Sequence, residues 1–177
     1  VERRPGMIMS AGTTPQYPDN LFLGLKSGFA TIEVYEPNSQ GVVRTDNLQY
    51  FEEVTEEIRQ ITTDPNGNLW LGTQRSGVIF IRFTGDSVTH CTISKFGENY
   101  LSDLASVSAY LVDDAISVLT DKGAFVPVFP ENGQPDSLIT FSFDLRWGKR
   151  FTTDSNKIVE IKKLKSNEYV INADTSG

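Results

Sequence analysis

The stretch at residues 61–78 constrains the fold of this chain more than any other. It begins with the turn sequence Asp-Pro-Asn-Gly-Asn at 64–68, continues with the apolar run Leu69-Trp70-Leu71 and reaches a second turn that ends at Gly77. Proline fixes one φ angle, glycine accepts a positive φ, and aspartate and asparagine satisfy their own backbone locally. The apolar run at 78–83 that follows is rich in β-branched and aromatic residues, with apolar character on both faces. The stretch therefore predicts a tight hairpin whose strands are covered on both sides.

Weaker copies of this stretch recur along the chain. Residues 19–28, 113–123 and 167–177 each contain a short apolar strand that runs up to a glycine. The closing glycines are separated by 49, 46 and 54 residues, and they are Gly28, Gly77, Gly123 and Gly177. One four-stranded blade of a β-propeller takes about 40–50 residues per repeat. The common register therefore predicts an equivalent hairpin in each of four successive blades.

The repeats predict an all-β chain, a single β-propeller segment over residues 1–177 with about three and a half four-stranded antiparallel blades in an incomplete ring. Blades are expected near 1–50, 51–100 and 101–150, with a partial blade at 151–177. Residues 48–61 and 101–111 also carry apolar residues at helical spacing. The repeat favours strand-loop-strand for 48–61 and allows at most one helical turn near Leu101.

A closed propeller needs roughly four to eight blades, so we expect this chain to be a piece of a longer one. The incomplete ring would expose sheet edges and blade faces, which favours self-association. An apolar content of 38% provides a core without metal or disulfide, and the single Cys91 excludes an intrachain disulfide. The net charge of −7 argues against a nucleic-acid partner, and no apolar run approaches the length of a membrane span.

Most of the chemically suggestive residues favour structural interpretations. His90 and Cys91 could bind a metal, but adjacent strand residues face opposite sides and the chain has no other His or Cys. The 64–68 turn imitates a calcium loop, but its glycine comes too early and Arg75 stands where the closing glutamate belongs. The acidic group at 52–57 is typical of a solvated surface. We therefore predict no catalytic residue, no metal and no cofactor.

One segment carries a candidate ligand site. Residues 146–150 place an aromatic ring among three cations, and the candidate binding residues are Arg146, Trp147, Lys149 and Arg150. Such a cluster suits an anionic or sugar ligand through stacking and charge-assisted hydrogen bonds. The structural alternative is that Trp147 packs under the next blade while the cations are solvated. Trp70 could likewise stack on a sugar, although its place in the repeat favours a core position between blades.

The sequence at 64–73, Asp-Pro-Asn-Gly-Asn-Leu-Trp-Leu-Gly-Thr, resembles the two-component regulator propeller repeat, with Leu71 where isoleucine is usual. The other copies depart from it, since Phe22, Ser117 or Val118, and Ile171 stand where the tryptophan would be. That repeat builds the periplasmic sensor region of bacterial hybrid two-component histidine kinases. The signature residues of the match are Asp64, Gly67, Asn68, Trp70, Gly72, Thr73 and Gly77.

The resemblance implies a propeller, commonly seven-bladed, joined elsewhere to a membrane-spanning helix and cytoplasmic kinase modules. The expected function is non-catalytic: a periplasmic sensor that binds a ligand, with carbohydrate as a candidate, and transmits a conformational shift to the kinase. Two alternatives stay open, because function resides in the site and not in the fold. One is a propeller-fold polysaccharide hydrolase or lyase, and the other is a propeller that only binds other proteins.

Overall fold

The computed structural model of the chain describes residues 6–97, 101, 106–131, 133–148, 156–165 and 168–175. These residues form three four-stranded antiparallel sheets and a fourth, two-stranded one, which confirms the all-β propeller segment with an incomplete ring. In every sheet the strands pair in chain order. Blade 1 consists of β1 (Ile8–Thr14), β2 (Tyr17–Leu25), β3 (Gly28–Tyr35) and β4 (Arg44–Tyr50). Blade 2 consists of β5 (Ile58–Thr63), β6 (Leu69–Thr73), β7 (Val78–Phe83) and β8 (Cys91–Phe96).

Blade 3 consists of β9 (Ser108–Val112), β10 (Ala115–Thr120), β11 (Gly123–Val128) and β12 (Thr140–Phe143). Two short 3-10 helices, Asp136–Leu138 and Leu145–Trp147, lie before and after β12. The described part of blade 4 is the pair β13 (Asn156–Lys165) and β14 (Glu168–Thr175). The segment at 48–61 is strand, loop and strand, as predicted. Within the described ranges no helix is long and apolar enough to cross a bilayer.

The three described corner glycines occupy equivalent places. Gly28, Gly77 and Gly123 follow the second strand of their blades and have φ angles of +121°, +71° and +127°. Residues that carry a side chain rarely adopt these φ angles, so glycine is the residue that closes each hairpin. In blades 1 and 3, two residues lie between the last paired residue of the second strand and the first paired residue of the third strand. In blade 2, three residues lie between them. The predicted register is thus confirmed for three corners, and Gly177 lies outside the described residues.

Hydrophobic layers fill the spaces between neighbouring blades. Phe22 and Phe29 of blade 1 pack with Leu69, Leu71 and Ile79 of blade 2. The alternate residues of the same blade 2 strands face the other way, and the layer toward blade 3 includes Trp70, Val78, Phe80, Ile116 and Val118. The third layer, toward blade 4, includes Leu119, Ala124, Ile158 and Ile161. In blade 2, β6 and β7 are covered on both sides, and their apolar residues face both layers, as the sequence predicted for this hairpin.

Gly72 makes room for the neighbouring blade. A Cβ there would overlap the carbonyl oxygen of Val107 and lie 3.1 Å from Cα of Ser108. Gly24 occupies the equivalent place in blade 1, where a Cβ would lie 2.8 Å from Cγ2 of Ile58. Both glycines therefore allow the first strand of the next blade to approach closely.

The first strands of successive blades lie side by side and are joined by side chains. The Thr62 hydroxyl donates to the carbonyl oxygen of Ala109 at 2.6 Å, and the Ala109 amide donates to the side-chain oxygen of Gln60 at 2.9 Å. The Thr63 hydroxyl donates to the carbonyl oxygen of Thr13 at 2.6 Å. These bonds satisfy backbone groups of Ala109 and Thr13, which lie on first strands whose other edge pairs with no described strand.

Candidate functional site

In the described part of the predicted ligand segment, at 146–148, Arg146 and Trp147 contact other residues of the chain. The guanidinium of Arg146 donates to both carboxylate oxygens of Asp144, at 2.8 and 2.7 Å, and to the carbonyl oxygen of Val112 at 2.6 Å. The Asp144 side chain is only 1% exposed. Its burial raises the pKa of Asp144, but the hydrogen bonds from Arg146 and Ser117 outweigh that effect, so the pKa lies below its ordinary value.

Trp147 completes the same network. Its indole N–H donates to the Ser117 hydroxyl at 3.0 Å, and that hydroxyl donates to Asp144 at 2.8 Å. The indole also meets Tyr169 of β14 edge to face, with centroids 6.2 Å apart. Trp147 thus packs against blade 4, as the structural alternative has it, whereas Arg146 is paired with the buried Asp144 and is not the solvated cation of that alternative. Lys149 and Arg150 lie outside the described residues, so ligand binding by this segment stays a prediction.

The repeat signature at 64–73 builds a buried turn. Asp64 is 7% exposed, and one of its carboxylate oxygens accepts from the amides of Asn66 and Asn68 at 2.9 and 3.0 Å. The other oxygen accepts from the Asn68 side chain at 3.1 Å and from the indole N–H of Trp70 at 3.4 Å. Gly67 has a φ of +83°. Both oxygens of the Asp64 carboxylate thus accept hydrogen bonds from within the turn and from Trp70. Trp70 is fully buried between blades 2 and 3, as predicted.

The other signature residues close the second turn. The Thr73 hydroxyl donates to the carbonyl oxygen of Gly77 at 2.7 Å and accepts from the amide of Ser76 at 2.8 Å.

The other chemically suggestive residues of the sequence form ordinary contacts. In the acidic group at 52–57, a carboxylate oxygen of Glu56 forms a salt bridge with the Lys95 ammonium at 2.8 Å. Among the described residues no group of three or more His, Cys, Asp or Glu side chains is arranged to hold a metal. Burial raises the pKa of the Cys91 thiol, and the nearby charge of Glu53 adds to the shift.

A cavity that sequence reasoning missed lies between blades 2 and 3. Its volume is 720 Å³, within the range of about 300–1,000 Å³ that is usual for small-molecule sites. One wall consists of the 66–68 turn and parts of β7 and β8. The other consists of residues 129–131 and 133–137, which lie between β11 and β12. Polar and charged side chains of the lining are Asn66, Asn68, Arg82, Thr92, Ser94, Glu131, Gln134, Asp136 and Ser137.

An ion pair fastens the two walls of this cavity together. The Arg82 guanidinium donates from Nε and Nη2 to the two carboxylate oxygens of Asp136, at 2.8 and 2.7 Å. The Thr92 hydroxyl adds a bond to the same carboxylate at 3.3 Å. The Asp136 side chain is 10% exposed and that of Arg82 is 43% exposed, with its guanidinium carbon 5.6 Å from the centre of the Phe80 ring. Arg82 is therefore held in place while its Nη1 group has no partner among the described residues.

An aromatic ring forms part of the other wall. Phe129 is 46% exposed, and it meets Trp70 and Phe80 edge to face with centroids 6.2 and 5.8 Å apart. Trp70, which belongs to the repeat signature, thus packs against the buried side of the Phe129 ring. No sequence signal indicates this site, because Arg82 and Asp136 are 54 residues apart and neither belongs to a motif.

No protein-family model matches this chain, and neither a curated protein nor a solved structure shows significant similarity to it. The likeness of residues 64–73 to the two-component regulator propeller repeat therefore rests on those residues alone.

Proposed function

We propose that this chain is the ligand-sensing part of a β-propeller sensor, that it performs no chemistry itself, and that its ligand binds in the cavity between blades 2 and 3. The observation that carries the proposal is the position of this cavity. Its walls belong to two successive blades, so a ligand inside it contacts two separate sheets at once. A ligand of that kind binds one relative placement of the blades better than another and shifts the population toward it.

The contacts between the blades suit such a mechanism. Each sheet is internally paired by backbone bonds, whereas the Arg82–Asp136 ion pair and the Phe129 ring cross from one blade to the next. Since the outer part of the Arg82 side chain is solvated, this ion pair is expected to contribute little stability. The link over the cavity is therefore weaker than the sheets it joins, and a ligand can change it without unfolding either blade.

Output to a histidine kinase, a periplasmic location and a carbohydrate ligand are further parts of the proposal, supported by the resemblance of residues 64–73 alone. The coding sequence that flanks this chain tests them. We expect a membrane-spanning helix followed by histidine-kinase motifs. A polysaccharide-cleaving domain on the same chain, without those elements, would contradict the sensor proposal and favour the hydrolase or lyase alternative.

Binding itself can be tested on the 177-residue chain by a thermal-shift screen with oligosaccharides. A ligand at about 100 times its Kd stabilises the folded state by roughly 2.7 kcal/mol. We expect this stabilisation in the wild type and its loss in Phe129→Ala, which removes part of the cavity wall. Asp46→Asn on the exposed strand β4 is the matched control and should respond as the wild type does. Stabilisation that persists in Phe129→Ala would place the ligand elsewhere.

We also propose that the chain self-associates. Met7 and Ile8 at the start of blade 1 are 65% and 54% exposed, and Val170 on β14 is 48% exposed. Exposed apolar side chains on sheets favour contacts between molecules. Sedimentation velocity should show dimers or larger species at micromolar concentration, and a stable monomer across that range would contradict the proposal.

A further inference from the structure

The cavity between blades 2 and 3 has a net negative charge although it contains an arginine. Its charged lining residues are one arginine and two carboxylates, Arg82, Asp136 and Glu131, which leaves a formal charge of −1. Arg82 and Asp136 neutralise each other in a two-bond ion pair. Glu131 is exposed and forms no ion pair with any described residue. The uncompensated charge of the cavity is therefore the Glu131 carboxylate.

A partly exposed aromatic ring lies close to this carboxylate in the sequence. Phe129 and Glu131 are two residues apart on the segment that forms one wall, and both line the cavity. The face of an aromatic ring carries partial negative charge and attracts a cation within about 6 Å of its centre, most strongly where water is excluded. The ring is supported from behind by Trp70 and Phe80, so it has little freedom to turn away.

The rest of the lining suits an uncharged polar surface. Asn66 and Gln134 carry amides, and Thr92 and Ser137 carry hydroxyls, so the wall offers both donors and acceptors. The Nη1 group of Arg82, for which no described residue is a partner, can donate to a hydroxyl or carbonyl oxygen. A carboxylate ligand is disfavoured, because Asp136 already occupies the fork of Arg82 and the remaining charge is negative.

Given the proposed binding function, we infer that the cavity takes a small ligand that carries a protonated amine on an otherwise neutral, hydroxyl-bearing body. The ammonium group lies against the Glu131 carboxylate and the face of Phe129, and the hydroxyls meet the amides and Arg82. The net charge of −7 on the chain favours the approach of such a cation. The cavity volume of 720 Å³ fits a small molecule.

Calorimetric titration of the 177-residue chain with three related sugars tests the inference. Glucosamine at pH 6 carries the ammonium, N-acetylglucosamine is neutral, and glucuronate is anionic, while all three share the sugar ring. We expect glucosamine to bind at least tenfold more tightly than N-acetylglucosamine, and glucuronate to bind most weakly. Glu131→Gln should remove the preference for glucosamine and leave the affinity for N-acetylglucosamine unchanged. Glu36→Gln, at an exposed carboxylate of blade 1, is the matched control and should keep the preference.

Spermidine separates the charge from the sugar ring. Binding of spermidine that weakens about tenfold in Glu131→Gln and at high salt supports the contact between the ammonium group and Glu131. Because spermidine carries no hydroxyl group, failure of glucosamine to bind overturns the hydroxyl-bearing body of the inferred ligand. Equal affinity for glucosamine and N-acetylglucosamine, with no effect of Glu131→Gln, overturns the amine selectivity and leaves the proposed ligand-sensing function intact. Binding of none of these four compounds also overturns the inference. A different result contradicts the proposed function: in the thermal-shift screen, no oligosaccharide stabilises the wild type more than it stabilises Phe129→Ala.

Discussion

Asp144 is the buried carboxylate of the hydrogen-bond network that holds Trp147 against blade 4. It accepts two bonds from the Arg146 guanidinium and one from the Ser117 hydroxyl, and the indole of Trp147 donates to that hydroxyl in turn. Asp144→Ala leaves Arg146 without its counter-ion and Ser117 without its acceptor. Breaking a buried pair costs about 3–5 kcal/mol, and because 32% of the Arg146 side chain is exposed we predict the lower end, a loss of about 3 kcal/mol.

Asp144→Asn isolates the contribution of the charge. The pKa of Asp144 is lower in the folded chain than in the unfolded one, because the bonds from Arg146 outweigh the effect of burial. Such a carboxylate stabilises the fold above its unfolded pKa, and the stabilisation is lost as pH falls through the folded pKa. The stability difference between the wild type and Asp144→Asn should therefore be full at pH 7 and shrink below about pH 4.

Urea unfolding followed by circular dichroism measures both effects. With an m value of roughly 1–3 kcal/mol per molar, a loss of about 3 kcal/mol lowers the midpoint by about 1–3 M. Asp46→Asn removes a carboxylate from an exposed pair with Arg44, whose side chain is 75% exposed, and should cost less than about 0.5 kcal/mol. If Asp144→Ala unfolds at the same urea concentration as Asp46→Asn, the reasoning about this network is refuted.

Three further predictions concern the packing between blades and use the same unfolding assay. Gly72→Ala should cost about 1–3 kcal/mol because the new methyl group overlaps the first strand of blade 3; Gly97→Ala, where the nearest atom would be 3.5 Å away, should be nearly neutral. Trp70→Ala should cost about 3–5 kcal/mol, since the side chain is fully buried. Tyr17→Phe should cost about 1 kcal/mol by removing the phenol bond to the carbonyl oxygen of Gly85, and an unchanged midpoint would show that this bond adds no net stability.

The blades were predictable because their signals are local. A hairpin corner needs glycine for its positive φ, and the turn at 64–68 needs a carboxylate that its own amides can reach. Such requirements leave a mark within a few residues, so Gly28, Gly77 and Gly123 could be aligned from the sequence alone. The alternation of Leu69, Trp70 and Leu71 between two layers follows from strand geometry in the same way.

The candidate site was not predictable from local signals. The Arg82–Asp136 pair depends on how β7 of blade 2 meets the segment before β12, and the two residues are 54 positions apart. Before the blades are packed, Arg82 can pair with any of the acidic residues of the chain. The 146–150 segment was a candidate ligand site for another reason. Asp144 is only two residues from Arg146, but the burial that makes it a tight partner depends on the packing of the blades.

Blade 3 has an indole bonded to a buried network with a carboxylate as blade 2 does, although its indole does not come from the position that Trp70 occupies in the repeat. Counted back from the corner, Ser117 occupies the place that Trp70 has in blade 2, and the indole beside it comes from Trp147, thirty positions later in the chain. Each indole N–H reaches a buried carboxylate, directly at Asp64 or through the Ser117 hydroxyl at Asp144. Trp147→Ala should therefore cost about 2–3 kcal/mol, less than Trp70→Ala because Trp147 is only half-buried.

Leu145→Ala is the matched control for that substitution. Leu145 belongs to the same 3-10 helix as Trp147 but is 70% exposed, so its loss should cost less than about 0.5 kcal/mol. Equal losses for the two variants in urea unfolding would mean that the ring of Trp147 does not serve as the layer between blades. A larger loss for Trp147→Ala would mean that the third blade obtains from a distant residue the same packing that the second blade obtains from within its own repeat.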